Sequence, residues 1–189
     1  MPDGAVYYTA IAVVAFLESL VAAGVIIPGS SLIVFAGFLA LHGRGDITTI
    51  ICVAALGAFF GDMLSFWVGA RFGERLIFTR LFQKRKDLLR KSEKFFVEHG
   101  GKSVFFGRFV GPVRGFIPFV AGSAQMSPKA FTAFAFISAI LWGLGYPGLG
   151  YLAGYSWENV ETWTTRVGLM IVILLLITIF IVVIRKRFR

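Results

Sequence analysis

The sequence predicts an all-α polytopic membrane protein, an inverted repeat of two re-entrant helical hairpins plus spanning helices. Three observations carry that expectation. Of the 189 residues, 57% are hydrophobic and only 15% charged, and the mean hydropathy is +0.80, the balance of a chain that meets lipid rather than water. The stretch SVFFGRFVGPVRGFIPFVAG is apolar apart from Arg108 and Arg114, yet it is interrupted by Gly107, Gly111, Pro112, Gly115, Pro118 and Gly122. So many breakers preclude one smooth helix, and irregular backbone at membrane depth survives only where protein buries it or it lines a cavity. Finally, Leu32 to Leu41 is apolar but only about 15 Å long as a helix, roughly half a bilayer. Both stretches read as arms that turn back inside the membrane.

The elements follow in order. Residues 5–41 hold an N-terminal helix, apolar to Ile27 except for Glu18, then Pro28-Gly29-Ser30-Ser31 and the returning arm of the first hairpin. After the loop His42 to Asp46, residues 47–70 form a span with one acid, Asp62. Residues 71–102 change character. Leu81, Leu88 and Phe95 recur at heptad spacing beside Phe82, Leu89 and Phe96, while Arg80, Lys84, Arg85, Lys91 and Lys94 cover the other surface. This is an amphipathic basic segment, either lying on the membrane or packed on the protein as a linker. Residues 103–126 form the second hairpin, and Pro128 sits at a first-turn position of the next helix. Residues 131–152 span, loosened by Gly143, Gly145, Pro147, Gly148 and Gly150; 167–184 span again, and 185–189 are a basic tail.

The formal charge of +9 is concentrated between Arg71 and Lys102 and in the tail, beside apolar segments. That pattern suits anionic membrane lipids as partners rather than nucleic acid, and it puts both clusters and the C-terminus on the cytoplasmic side. The hairpins then open to opposite faces. Pro28 with Ala36-Gly37 and Pro118 with Ala121-Gly122 repeat the same elements, and inverted repeats place sites where the halves meet. Cys52 is the single cysteine, and His42 and His99 lack zinc-motif spacing, so neither a metal nor a cofactor is expected. The N-terminus MPDGAVYY has no basic stretch of the signal-peptide kind, so the first apolar segment is expected to be retained.

The candidate site follows from the intramembrane charges. Arginine at bilayer depth marks a functional site, and a planar guanidinium fork suits phosphate oxygens. Arg108 and Arg114 are therefore the candidate phosphate-binding pair. Snorkelling to the surface is the alternative, stronger for Arg108, which lies close after Lys102. Glu18, poorly solvated as an anion, is either a proton-coupling acid or a buried structural partner of an arginine. Asp62 carries the same two readings, with Gly57 and Gly61 spaced for close helix packing beside it. The hairpin backbone positions are Pro28, Gly29, Ser30, Gly111, Pro112, Pro118 and Gly122. The tryptophans, Trp142 among them, read as interfacial belt and packing residues. A lipid phosphatase would need a histidine and a supporting acid near the arginines. No motif puts His42 or His99 there, so the chain is not read as an enzyme.

GRFVGPVRGFIPFVAGSAQM, from Gly107 to Met126, resembles the DedA family of bacterial inner-membrane proteins, whose shared core is called the VTT or SNARE-associated domain. Glu18 followed by Pro28-Gly29 and Ala36-Gly37, and Gly61-Asp62 with Gly69 and Gly73, extend the resemblance over most of residues 18 to 154. It implies two re-entrant hairpins, lipid translocation with undecaprenyl phosphate or phosphatidylethanolamine as cargo, and dependence on the proton gradient. Glu18, Arg108 and Arg114 match the family's functional positions. Ser30 departs from the pattern, because many members carry an acid there; Asp62 is the candidate replacement. The resulting expectation is a carrier of a lipid phosphate, foremost undecaprenyl phosphate, in the bacterial cytoplasmic membrane. A glycerophospholipid scramblase without proton coupling and a small-ion or drug antiporter are the alternatives.

Overall fold

A computed structural model describes residues 3–21, 28–110 and 113–159. Gly111 and Pro112, the end of the first apolar run, the span expected at 167–184 and the tail at 185–189 lie outside the described residues. Within them the chain is helical throughout: α1 (Asp3–Ser19), α2 (Gly29–Leu41), α3 (Ile47–Leu76), α4 (Arg80–Gln83), α5 (Lys86–His99), α6 (Lys102–Gly107), α7 (Ile117–Ser123) and α8 (Pro128–Asn159). Two of these contain stretches long and apolar enough to cross a membrane, Ile47–Gly73 and Pro128–Ser156. The first begins cleanly because the Asp46 carboxylate accepts from the Thr49 backbone N–H at 2.6 Å and the Thr49 hydroxyl at 2.8 Å, capping the orphan donors of α3. Pro147 lies inside α8 without ending it.

Backbone-to-backbone contact at glycine organises the packing. A Cβ at Gly57 or Gly61 of α3 would overlap the carbonyls of Ala12 and Phe16 on α1, so the small-residue spacing does bring these helices together. A second set of contacts joins the halves. Gly37 of α2 lies on the Pro147 carbonyl and Gly150 on that of Val34, while Gly122 of α7 lies on the Phe66 carbonyl and Gly69 on that of Phe119. One constant offset maps Val34, Gly37 and Phe38 onto Phe119, Gly122 and Ser123. Another maps Phe66, Gly69 and Gly73 onto Pro147, Gly150 and Gly154, which meets Phe38 as Gly73 meets Ser123. The returning arm of each half thus packs on the long helix of the other, in matching register.

Apolar burial follows these contacts. Ile11, Ala15, Ile33, Ala36, Ile50, Ala54 and Ala58 form one cluster around Trp142; Phe66, Val104, Ile117, Ala121, Phe131 and Ala135 form another. The amphipathic α5 covers a third. Its buried Leu89 joins Phe82, Phe116, Phe119 and Val120, with Leu88 and Phe96 packed alongside. The apolar stripe of α5 thus packs in part on the protein: Leu89 is buried, Leu88, Phe95 and Phe96 are half-buried, and Val97 is exposed.

Candidate functional site

Four ionisable side chains from four separate segments converge where the halves meet. Ser65 of α3, fully buried, pins the end of α1: its hydroxyl donates to the Ser19 carbonyl at 3.1 Å and accepts from the Val21 N–H at 2.9 Å. That anchor turns Glu18, only 4% exposed, toward the start of α2. Gly29 faces the Glu18 carboxylate so closely that any Cβ there would displace it. Ser30, the next residue, donates its hydroxyl to Glu18 Oε1. Arg114 closes this group, with Nη2 2.6 Å from Glu18 Oε1 and Nη1 donating to Ser30 Oγ at 3.1 Å.

The second pair mirrors the first. Arg108, just after α6, donates from Nη2 to Asp62 Oδ2 on α3, and both side chains are almost wholly inaccessible. Arg108 does not extend to the surface as a snorkelling residue does. Under both guanidiniums lies the indole of Trp142, 0% exposed, with its ring centroid 5.3 Å from Arg114 Cζ and 6.0 Å from Arg108 Cζ. A tryptophan face is the strongest aromatic partner for a cation, worth about 0.5–2 kcal/mol depending on desolvation. Among the described residues, two buried side-chain polar atoms lack a hydrogen-bond partner, Glu18 Oε2 and Trp142 Nε1. The space left between the groups is about 10 Å³, lined by Ser19, Asp62, Val104, Arg108, Arg114 and Pro118.

Charge arithmetic decides what such a centre can do. Two fixed cations face two carboxylates, so the ionised site is neutral and each guanidinium already holds an anionic oxygen. Burying such pairs is expensive in solvation, and removing one partner exposes the other to that full cost. A new anion can bind only by taking the place of a carboxylate. The site is closed on itself.

Of the residues singled out by sequence, Glu18, Ser30, Asp62, Arg108 and Arg114 come together, with Gly29 and Pro118 at the rim. Pro28 is exposed just ahead of α2, and Gly122 lies away from the charges, against α3. Trp142, read as a belt or packing residue, is packed in the core; what was missed is that both guanidiniums lie over its face. Its place deep within the span 131–152, away from either end, was the available signal. The role of Ser30 was also hidden, because a serine in place of an acid reads as a loss; here it bridges Glu18 and Arg114. His42 and His99 each hydrogen-bond a carbonyl one turn back, Phe38 and Phe95, and neither lines the site.

Comparison with known proteins adds a family. The VTT domain matches residues 27–152. The chain is 34% identical over 152 residues to Protein DedA of Escherichia coli strain K12, covering 78% of this chain and 68% of that one. It is 38% identical over 147 residues to the inner membrane protein YabI of the same strain, covering 77% of this chain but 57% of YabI. It is 27% identical over 173 residues to an alkaline phosphatase-like protein of Lactococcus lactis, covering 86% and 80%. No solved structure matches.

Proposed function

Because this chain belongs to the VTT-domain (DedA) family of membrane proteins, we propose that it carries a phosphate-bearing lipid across the bacterial cytoplasmic membrane. One observation carries the reading: a buried guanidinium, Arg108, and a largely buried one, Arg114, share a tryptophan face, and each is held by a carboxylate. In this reading the hairpins are re-entrant. At about 1.5 Å per residue, α2, α6 and α7 all fall short of the roughly 30 Å hydrocarbon core, so their tips meet near mid-membrane. The lipid's phosphate reaches the tips while its tail stays in the bilayer.

Exchange at the site follows from neutrality. Phosphate oxygens replace Glu18 on Arg114 and Asp62 on Arg108, and a low-dielectric centre does not retain the displaced carboxylates as free anions. Each one that leaves its arginine takes a proton, so proton and phosphate travel together and part together. Glu18 is the first acid to exchange, because its Oε2 has no hydrogen-bond partner among the described residues. The small space between the groups favours a bare phosphate monoester such as undecaprenyl phosphate over a phosphodiester with a bulky headgroup. It equally disfavours a drug antiporter, whose acids would need to be free of the arginines. The name of the Lactococcus relative suggests phosphate-ester hydrolysis. Here the hydroxyl nearest the arginines, Ser30, is tied to Glu18 with no histidine beside it, which supports carriage.

Reconstituted vesicles test this. Wild-type protein should move undecaprenyl phosphate faster under an imposed pH gradient, release no inorganic phosphate, and lose the gradient response in Glu18→Gln. Arg114→Lys keeps the charge without the fork and should impair transport strongly. Flux indifferent to the gradient supports the glycerophospholipid scramblase instead, and phosphate release supports a hydrolase. Cysteines placed at Gly43 and Lys102 should be labelled from opposite sides of the membrane; labelling from one side refutes the inverted hairpins.

A further inference from the structure

A second cationic site lies at the far end of α3. A cavity of about 540 Å³ is lined by Gly69 to Gly73, Arg75, Ser123 and Gln125. Arg71 and Arg75 stand one turn apart on the same helix face, both exposed, and no acid is among the described lining residues. Among the described residues neither guanidinium has an ion-pair or hydrogen-bond partner. This contrasts with Arg108 and Arg114, whose charges are fully met.

The cavity's wall is built rather than incidental. Gly73 lets α3 close onto the Ser123 hydroxyl, which donates to the Gly69 carbonyl at 3.3 Å. Gln125 adopts a left-handed backbone, φ 57°, unusual for a residue with a side chain; its amide donates to the Ala70 carbonyl at 3.3 Å. The depth is marked as well. Exposed Trp67 and Phe72 meet edge to face at 5.9 Å, and Phe72 forms part of the lining. An exposed tryptophan beside arginines suits the headgroup layer, where the amphipathic indole is favoured. Asp62 lies on the same helix roughly 14 Å away, from the rise per residue, and α7 joins the two places through Pro118 and Ser123.

We propose that Arg71 and Arg75 form a staging site for the phosphate of a membrane lipid, separate from the Arg108–Arg114 centre. It shares with the transport reading only the class of ligand, so the two can fail independently. Two guanidiniums with no partner among the described residues place two positive charges beside the cavity, where phosphate oxygens can be held by charge alone, and the cavity is wide enough for a headgroup that the central site excludes.

Native mass spectrometry of the full-length protein with dioctanoyl phosphatidic acid reads the site directly. Wild type should take up two lipids. Arg71→Gln/Arg75→Gln should take up one, with the other weakened roughly tenfold or more, and Arg71→Lys/Arg75→Lys should retain most of the binding because the charge stays. Two lipids on the glutamine pair at wild-type affinity overturn the proposal, as does equal loss in the lysine pair. Competition by inorganic phosphate at the concentration of the lipid overturns the lipid as its source. Should Arg114→Gln still bind two lipids while the glutamine pair binds one, the central reading fails and the staging site stands.

Discussion

Asp62→Asn isolates the charge balance of the central site. The substitution keeps shape and removes one anion, leaving Arg108 buried against a neutral amide with Arg114 nearby. Two unit charges about 4 Å apart at an effective dielectric near 20 interact by about 4 kcal/mol, in line with the 3–5 kcal/mol typical of breaking one side of a buried pair. Trp142 keeps its hold on the guanidinium, so the expected loss is about 3 kcal/mol. Reversible unfolding in mixed micelles measures it. Asp62→Asn/Arg108→Gln, which removes both charges, should recover about 2 kcal/mol or more of that loss. The variant should also be rescued by ligand: at a hundredfold excess over Kd, short-chain phosphatidic acid contributes roughly 2.7 kcal/mol, and more than in wild type, where it must first displace the aspartate. Equal instability in single and double variants would refute the pairing argument. Equal rescue by phosphatidic acid and phosphatidylcholine would remove the case for phosphate on Arg108.

Three further outcomes follow from the same geometry. Gly37→Ala and Gly122→Ala should each lower the thermal midpoint, at a cost of about 1–3 kcal/mol or more because the added methyl meets backbone; Gly145→Ala and Gly148→Ala, which meet nothing within 4 Å, should be neutral or better. In vesicle transport, Trp142→Phe retains a ring face and should keep flux within about tenfold of wild type, whereas Trp142→Leu, with no cation–π partner, should fall further. Asp46 is held below the ordinary carboxylate range, chiefly by the Thr49 backbone N–H and then by the Thr49 side chain. The sign is that of a depressed acid: its contribution is present above the unfolded value and is lost as pH falls through the folded one. Asp46→Ala should therefore melt below wild type at neutral pH and converge with it in acid.

Local chemistry sufficed to read much of this protein from its sequence. Hydropathy marked α3 and α8, and breakers around Pro28 and within 103–126 marked the interrupted arms, because helix propensity and apolar burial act over a few turns. The charges Glu18, Asp62, Arg108 and Arg114 stood out because each is isolated in apolar sequence, where a charge is costly. Which acid faces which arginine was not legible. The partners lie 46 residues apart for Asp62 and Arg108, and their pairing depends on how α3, α6 and the hairpin tips dock. The same holds for Ser30, whose hydroxyl acquires its role only when Glu18 and Arg114 arrive on either side. Trp142 looked like an aromatic of a spanning helix until the fold put both guanidiniums over its face. The glycines show the division most plainly: Ala36-Gly37 and Ala121-Gly122 were visible as a repeat, but only tertiary contact reveals that each is laid on a carbonyl of the other half. Sequence distributes the charges and the gaps, whereas contact between distant helices decides which of them meet, because pairing energy depends on separation in space and not along the chain.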